Sequence, residues 1–336
     1  MRLLLLVLLL LIPAVIRGER KTGSPIDSLP RHTVILTHFG ERADISPDNQ
    51  SIAFMNKSFG DAFVIDLKTR IVRCLTCNVP GAAFLRVMHL ATGDYLLIGP
   101  ERFKDIRTSR GPDNELWFLS RKPGSRPVRL DQKMSEGAAV SKTSAKIAFS
   151  ETRTQFPDMV EDSRLVIVEV DSSSSAPKLI NRRVVYQSKD RGCRLEAQDF
   201  YDQDRRMTFT CYEPKGMASV WSMDLSNGAL TNESQKPGSY NEVEGIFPDG
   251  KYTCVEADRQ IETLGGEGGF RQIDIWKLRL GSNGKDFVRL TNFNDHEGWK
   301  ASNPVVATNG QFMAFQIART QDEAGVGYGI VMMKLR

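Results

Sequence analysis

Acidic side chains are concentrated around one segment of the sequence, PDGKYTCV. Glu242 and Glu244 precede this segment, and Glu256, Asp258 and Arg259 follow it. Carboxylates that converge in a folded protein can bind a hard cation such as Ca²⁺, or a polar ligand. Their spacing matches no known calcium loop, so a solvated or salt-bridged loop is the competing interpretation. The sequence leaves both interpretations open.

A second group of polar residues surrounds the segment TNGQFMAF. His296, Trp299 and Lys300 precede it, and Arg319 follows it. The face of an indole ring and the fork of a guanidinium could together bind a sugar or a peptide carboxylate. The alternative is that Trp299 only packs against its neighbours. Together the two groups make up the predicted ligand-binding residues.

Metal and cofactor sites are not predicted. The four histidines, at positions 32, 38, 89 and 296, include no pair at the spacing of metal ligands. A Gly-x-Ser-x-Gly nucleophile motif is not found, which argues against a serine hydrolase of that type. We therefore assign no catalytic residues and no cofactor, and we expect a binding protein more than an enzyme.

Five cysteines leave at least one thiol unpaired in any intramolecular scheme. Cys193 and Cys211 flank a predicted hairpin turn near Asp202 symmetrically, so they are the predicted disulfide. Cys74 and Cys77 form a Cys-x-x-Cys motif with no second pair and no helix start beside it. A zinc site or a thioredoxin-like site is therefore not expected there.

The elements that must position these residues come from an internal repeat. Six octets combine a polar turn with an apolar strand that ends in an aliphatic or aromatic residue. They are PDNQSIAF, ATGDYLLI, KTSAKIAF, DQDRRMTF, PDGKYTCV and TNGQFMAF, which start at residues 47, 91, 142, 202, 248 and 308. Pro, Gly, Asp and Asn favour tight turns, so each octet predicts a hairpin corner that leads into a buried strand.

The octets start 44 to 60 residues apart, which is the length of a four-stranded propeller blade with loop insertions. Segments of alternating apolar and polar residues follow several octets, such as FVIDLKTRIVRCLT and VWSMDLSNGALT, and they predict the outer strands. The last blade lacks its fourth strand. We predict that HTVILTHF, near the N-terminus, supplies this strand and closes the ring.

The segments SPDNQSIAF and FPDGKYTCV, paired with outer strands of the VIDLKTRIVRCLT type, resemble the WD40-like (PD40) repeats of TolB-family propellers. The resemblance extends over nearly the whole chain from about residue 31. It implies an all-β, six-bladed propeller at residues 31–336. The family consists of exported propellers with diverse roles, so the resemblance specifies the fold and not the function.

The N-terminus has the pattern of a secretory signal peptide. Arg2 is followed by an apolar run from Leu3 to Ile16, which is shorter than the roughly 20 residues that span a bilayer as a helix. We predict a signal peptide at residues 1–18, a short linker at residues 19–30, and a periplasmic or extracellular protein without a stable membrane span.

Removal of residues 1–18 takes away two arginines and lowers the formal charge from +4 to +2. The mature chain has no long basic run, so nucleic acid is not a predicted partner. The first functional hypothesis is a monomeric, non-enzymatic module that binds protein, peptide or glycan at the channel face. The alternative is a metal-assisted polysaccharide lyase or hydrolase, with the carboxylates near PDGKYTCV as acid and base.

Overall fold

The computed structural model of the protein describes residues 19–189, 192–236, 238–322 and 325–335. The predicted signal peptide lies outside the described residues. Within these ranges, no helix has both the length and the apolar character required to cross a bilayer.

The described residues form six antiparallel sheets of four strands, which are the six blades of a β-propeller. The predicted all-β, six-bladed architecture is confirmed. The first strand in the chain, β1, is Thr33–Ile35. Blade one contains β2 to β5, at Glu41–Ile45, Ser51–Met55, Ala62–Asp66 and Val72–Cys74. Blade two contains β6 to β9, at Arg86–His89, Tyr95–Gly99, Glu115–Leu119 and Val128–Lys133.

The next three blades follow the same order. Blade three contains β10 to β13, at Ala138–Val140, Lys146–Thr152, Ser163–Asp171 and Lys178–Gln187. Blade four contains β14 to β17, at Arg194–Tyr201, Arg206–Glu213, Met217–Asp224 and Leu230–Asn232. Blade five contains β18 to β21, at Asn241–Ile246, Tyr252–Ala257, Asp274–Arg279 and Phe287–Arg289.

Blade six contains β22 to β24, at Trp299–Val306, Phe312–Arg319 and Ile330–Lys334, and it is completed by β1. Thr33 pairs with Met333 and Ile35 with Val331 in an antiparallel ladder. The N-terminal strand thus covers the edge of β24 that would otherwise be exposed. Helices are short, at Ile106–Arg110 (α1) and Ile261–Leu264 (α2), with 3₁₀ turns at Pro25–Ser28, Pro214–Gly216 and Phe293–Asp295.

Each octet forms the turn between the first and second strands of its blade, followed by the second strand. Five of the six turns contain a residue with positive φ, which glycine adopts without strain at Gly250 (φ 66°) and Gly310 (φ 69°). The last residue of every octet is at most 1% exposed; these residues are Phe54, Ile98, Phe149, Phe209, Val255 and Phe315. Burial of these large side chains between blades is the main stabilising contribution of the repeat.

Residues 19–30 do not form a free linker. The guanidinium of Arg20 donates hydrogen bonds to Gln272 and to Asn294, and Lys21 forms a β-bridge with His296. Ile26 and Leu29 pack against the core of blade six. The segment is therefore part of the propeller surface.

Two disulfides are present. Cys193 is bonded to Cys211, the predicted pair, and this bond lies in the buried core of blade four. Cys74 is bonded to Cys77, a pair that the sequence did not lead us to expect. Cys254 is a buried free thiol, as the odd number of cysteines required.

Candidate functional site: the central channel

A cavity of about 600 Å³ opens at the face of the propeller where the innermost strands begin. Its lining comes from all six blades, because the first strands of the blades surround the propeller axis. Four of these strands, β2, β14, β18 and β22, contain register shifts typical of β-bulges. A bulge re-aims neighbouring side chains, and here the bulges lie among the residues that face the channel.

One side of the channel wall, in blades one to three, is an ion-paired network. Glu136 accepts from Arg42 at 2.7 Å and from two nitrogens of Arg110 in a bidentate pair. Gln316 accepts a hydrogen bond from the backbone N–H of Arg42 at 2.7 Å. Two cations therefore share one carboxylate in a largely buried setting.

The electrostatics of this network favour the charged forms. Burial alone would raise the pKa of Glu136, but Arg110 and Arg42 outweigh it and hold the pKa below its usual range. Burial would likewise lower the pKa of Arg42, and Glu136 reverses that effect. The network is stable only while all its members are present.

The opposite side contains a cluster of carboxylates on the first two strands of blade five. Oxygens of Glu242, Glu244 and Glu256 lie within 4.8 Å of one another, and all three side chains are buried. Glu242 accepts from the hydroxyls of Tyr212 and Tyr240. We call Glu242, Glu244 and Glu256 the acidic cluster.

Burial raises the pKa of every member of the acidic cluster, and repulsion by neighbouring carboxylates adds to this effect for Glu242 and Glu244. The pKa of Glu242 is raised to about 7, by burial and then by the charge of Glu256. The pKa of Glu244 is raised for the same two reasons. Burial raises the pKa of Glu256 although it accepts from the N–H of Asn303. Burial therefore favours the protonated form of each carboxyl group in the cluster.

Glu196 joins the two sides. Its carboxylate lies 3.4 Å from the guanidinium of Arg86, yet burial raises its pKa to about 7. The carboxyl group lies against Gly137, where an added Cβ would be 2.1 Å from Oε1 of Glu196. Glycine is thus required at position 137 for this arrangement.

The mouth of the cavity is basic. Arg107 and Arg194 are exposed there, and neither side chain forms a hydrogen bond or ion pair with another part of the chain that the structure describes. Arg319 stacks on Trp299, with its guanidinium 3.9 Å from the ring centroid. Lys300 donates to the carbonyl of Phe270 at 3.0 Å, and burial lowers its pKa.

Exposed apolar side chains border the same cavity. Ile106 on α1, Phe270 after α2 and Val326 in blade six are 46%, 45% and 48% exposed. Large apolar groups that stay in water around a cavity are typical of a docking surface. We call these three residues the apolar rim.

Among the predicted ligand-binding residues, Glu242, Glu256, Lys300 and Arg319 line the 600 Å³ cavity. Glu244 lies further along the channel, where it lines a narrower part of about 50 Å³. The structure thus brings together five of the nine residues that the sequence singles out.

The other four lie outside the channel lining. Asp258 accepts from the N–H of Gly269 at 2.7 Å and so holds the glycine-rich loop. Arg259 stacks on Phe287 at 3.4 Å, and burial lowers its pKa to about 10. His296 lies under the N-terminal segment, and Trp299 is a buried platform for Arg319. These residues support the site and do not line it.

Sequence reasoning missed Arg42, Arg86, Glu136 and Glu196. A signal was present, because all four precede an octet by five or six positions, as Glu242 does. Positions at the same place in a repeat occupy equivalent places around the axis of a propeller. Comparison of that position across all six blades identifies the channel lining.

The narrow end of the channel is closed by a separate ion pair. Asp44 accepts from Lys142 at 2.8 Å and from the ring of His89 at 2.9 Å. Burial opposes ionisation of Asp44, but Lys142 and His89 outweigh it and lower its pKa to about 2. Because His89 is 2% exposed, this group links blades and is not an open site.

No family model and no curated protein matches this sequence. Solved structures do match. A putative TolB from Agrobacterium tumefaciens superposes with a TM-score of 0.54 at 15% identity, covering 81% of this chain and 96% of that one. The fold is that of a TolB-like propeller.

TolB from Acinetobacter baumannii gives a TM-score of 0.53 at 12% identity, over 90% of this chain and 65% of that chain, so this chain spans less than two thirds of it. An oligogalacturonate lyase in complex with manganese gives a TM-score of 0.52 at 12% identity, over 90% of this chain and 79% of that chain. At these identities the likeness shows the fold alone.

Proposed function

We propose that this TolB-like propeller is a non-enzymatic binding module that holds an acidic peptide segment of a partner protein in its channel mouth. The observation that supports the proposal is the pair of exposed arginines, Arg107 and Arg194, beside Arg319 and Lys300. Cations without an internal partner at the entrance of a cleft attract anionic ligands and increase their rate of association.

The apolar rim favours a peptide over a glycan. Ile106, Phe270 and Val326 offer aliphatic and aromatic surface next to the basic groups. A peptide can match both, with Asp or Glu for the arginines and an apolar side chain for the rim. Interfaces between proteins combine these two kinds of contact.

The acidic cluster is compatible with an anionic ligand when it is protonated. Because the pKa values of Glu242 and Glu196 are raised to about 7, the floor of the cavity loses negative charge below neutral pH. We expect acidic peptides to bind more tightly at pH 6 than at pH 8.

Fluorescence anisotropy with labelled peptides tests the proposal. A peptide that contains glutamate and leucine is expected to bind, with affinity that falls steeply as salt rises, and its lysine counterpart is not. Arg194→Ala is expected to weaken binding by about tenfold, a loss of roughly 1.4 kcal/mol. The matched control is Arg205→Ala, because Arg205 lies at an octet turn and pairs with Asp202. Equal affinity for both peptides, or equal losses in both variants, contradicts the proposal.

The second candidate function is a metal-assisted lyase or hydrolase of acidic polysaccharide. The acidic cluster favours it, since three convergent carboxylates fit a hard divalent cation. Glu242, Glu244 and Glu256 would hold the ion, which would supply Lewis-acid stabilisation of negative charge. A carboxyl group with a pKa near 7 is also suited to general acid–base catalysis, as is Glu196.

Calorimetric titration with Mn²⁺ and Ca²⁺, followed by an absorbance assay for unsaturated oligogalacturonate products, tests the second candidate. The metal-assisted enzyme requires cation binding that is lost in Glu244→Gln. Binding should be kept in the control Glu297→Gln, whose side chain is exposed outside the channel. If the protein shows neither cation binding nor turnover, the second candidate is excluded and the binding module remains the proposed function.

We also propose that the protein is exported and acts as a monomer outside the cytoplasm. The two disulfides support this, because such bonds persist in oxidising compartments. N-terminal sequencing of protein recovered from the medium or the cell envelope is expected to begin at Glu19. A chain that retains residues 1–18 and remains in the cytosol contradicts this proposal.

A further inference from the structure

The two disulfides of this protein occupy opposite environments. Cys193 and Cys211 are 1% and 4% exposed, and their bond spans 18 residues of sequence within the core of blade four. Cys77 is exposed and Cys74 is half-buried, and their bond spans only 3 residues. A bond that closes so short a loop removes little entropy from the unfolded chain, so it adds less stability than the buried bond.

The segment around Cys74–Cys77 is held by contacts that do not involve sulfur. Thr76, between the two cysteines, is fully buried, donates to Asp61 at 2.7 Å and accepts from the N–H of Ala62 at 3.0 Å. Asn78 donates to the carbonyls of Gly124 and Ser125. None of these contacts involves the bond between the two sulfurs.

The surroundings of the sulfurs differ as well. The backbone N–H of Cys77 points at Sγ of Cys74, with a distance of 3.0 Å from nitrogen to sulfur. Such a donor stabilises a thiolate on Cys74. The carboxylate of Asp61 lies within 4.8 Å of both sulfurs and acts in the opposite direction.

We propose that Cys74–Cys77 is a site of thiol–disulfide exchange with a dithiol of a partner protein. A partner thiolate attacks the exposed Sγ of Cys77, a new S–S bond forms, and the Cys74–Cys77 bond breaks. The electron pair goes to Sγ of Cys74, where the N–H of Cys77 stabilises it. The second thiolate of the partner then attacks the mixed disulfide and releases Cys77. The partner dithiol is oxidised to a disulfide, and Cys74 and Cys77 are reduced.

The sequence alone gave no reason to expect this, since the motif lies at the end of a strand and not before a helix. The structure supplies an exposed sulfur, a hydrogen bond to the leaving sulfur and a loop with its own anchors. Exposed bonds of this kind are the labile ones in secreted proteins, and buried bonds resist reduction.

The experiment uses the full mature chain and its internal control. The protein is equilibrated with reduced and oxidised glutathione at graded ratios, free thiols are alkylated, and each cysteine is scored by mass spectrometry. We expect Cys74 and Cys77 to be labelled at ratios that leave Cys193, Cys211 and Cys254 unlabelled, with an unchanged circular dichroism spectrum. Opening of both disulfides only when the protein unfolds would overturn the proposal.

Trapping separates exchange from mere lability. In Cys74→Ser the exposed Cys77 has no resolving thiol, so a test peptide whose single cysteine is activated as a mixed disulfide with thionitrobenzoate is expected to form a persistent mixed disulfide, with release of thionitrobenzoate. In the matched variant Cys77→Ser, the half-buried Cys74 is expected to form at least tenfold less of the mixed disulfide. Equal yields, or no adduct in either folded variant, contradict an exchange site.

Discussion

The two sides of the channel wall contain the same kind of group in opposite states. Glu136, just before the first strand of blade three, is paired with Arg42 and Arg110, and these two cations lower its pKa. Glu242, in blade five, is more deeply buried and has tyrosine hydroxyls and other carboxylates as neighbours, and its pKa is raised to about 7. Burial acts on both, and the neighbouring charges determine the outcome.

This difference distinguishes a carboxylate that stabilises the fold from carboxylates that are candidates for a function. A carboxylate that is fully paired with arginines contributes to the stability of the folded state, and its removal leaves buried cations. Carboxylates that repel one another cost stability, so their presence needs another explanation. Groups with strongly perturbed pKa values in a cavity are candidates for binding or catalysis.

The largest expected effect is on the paired side. Glu136→Gln removes the shared partner of two arginines and is expected to lower the free energy of unfolding by about 3–5 kcal/mol. Chemical denaturation at pH 7 measures the loss. The control is Glu101→Gln, because Glu101 is 69% exposed in its pair with Arg129 and should change stability by less than about 1 kcal/mol. Similar losses in both variants would show that Glu136 is no more than a surface ion.

A smaller effect is expected at the junction of the two sides. Gly137→Ala places a methyl group against the carboxyl group of Glu196 and pushes it from Arg86. We expect a loss of about 1–3 kcal/mol, the usual cost of overpacking. Glu196→Ala alone is the control, because the two single variants and the double variant together isolate the contact between positions 137 and 196. If the double variant Gly137→Ala, Glu196→Ala is as unstable as Gly137→Ala alone, the clash is not with Glu196.

Substitution in the acidic cluster is expected to raise stability, whereas substitution of Glu136 lowers it. Because the pKa of Glu242 is higher in the folded protein than in the unfolded chain, its contribution to stability is complete below about pH 4 and is lost as the pH rises through about 7. Glu242→Gln should therefore raise the melting temperature at pH 8, by about 1.5 °C for each kcal/mol of relieved repulsion.

The same substitution is expected to flatten the decline in melting temperature between pH 5 and pH 8. Differential scanning fluorimetry over this range provides the measurement. For Glu136 the sign is reversed, since a lowered pKa gives stability that is lost as the pH falls. A wild-type melting temperature that rises steadily from pH 5 to pH 8 would contradict the assignment of the acidic cluster.

The fold was predictable because its signals are local. Each octet specifies a turn and a buried strand within eight residues, and the repetition supplies the architecture. The acidic cluster was also visible, since Glu242, Glu244 and Glu256 are near one another in the sequence. Arg42 and Glu136 come from different blades and meet only when the ring forms, so no local pattern reveals their pairing.

The second disulfide was missed for a related reason. A Cys-x-x-Cys motif is interpreted by its surroundings, and the sequence shows neither exposure nor hydrogen bonds. The anchoring of Thr76 by Asp61 and Ala62 depends on the pairing of strands within blade one. Only the three-dimensional arrangement distinguishes an accessible bond from a buried one.

The pairing of β1 with β24 affects the order of events during synthesis. Thr33 is among the first residues of the propeller to be made, and its partner Met333 is among the last. The five blades between them can form as the chain emerges, but the ring cannot close until β24 has been made. Through that interval Thr33–Ile35 has no partner strand and blade six has an open edge. A chaperone that protects this edge would therefore act on the nascent chain and have no binding site on the finished protein.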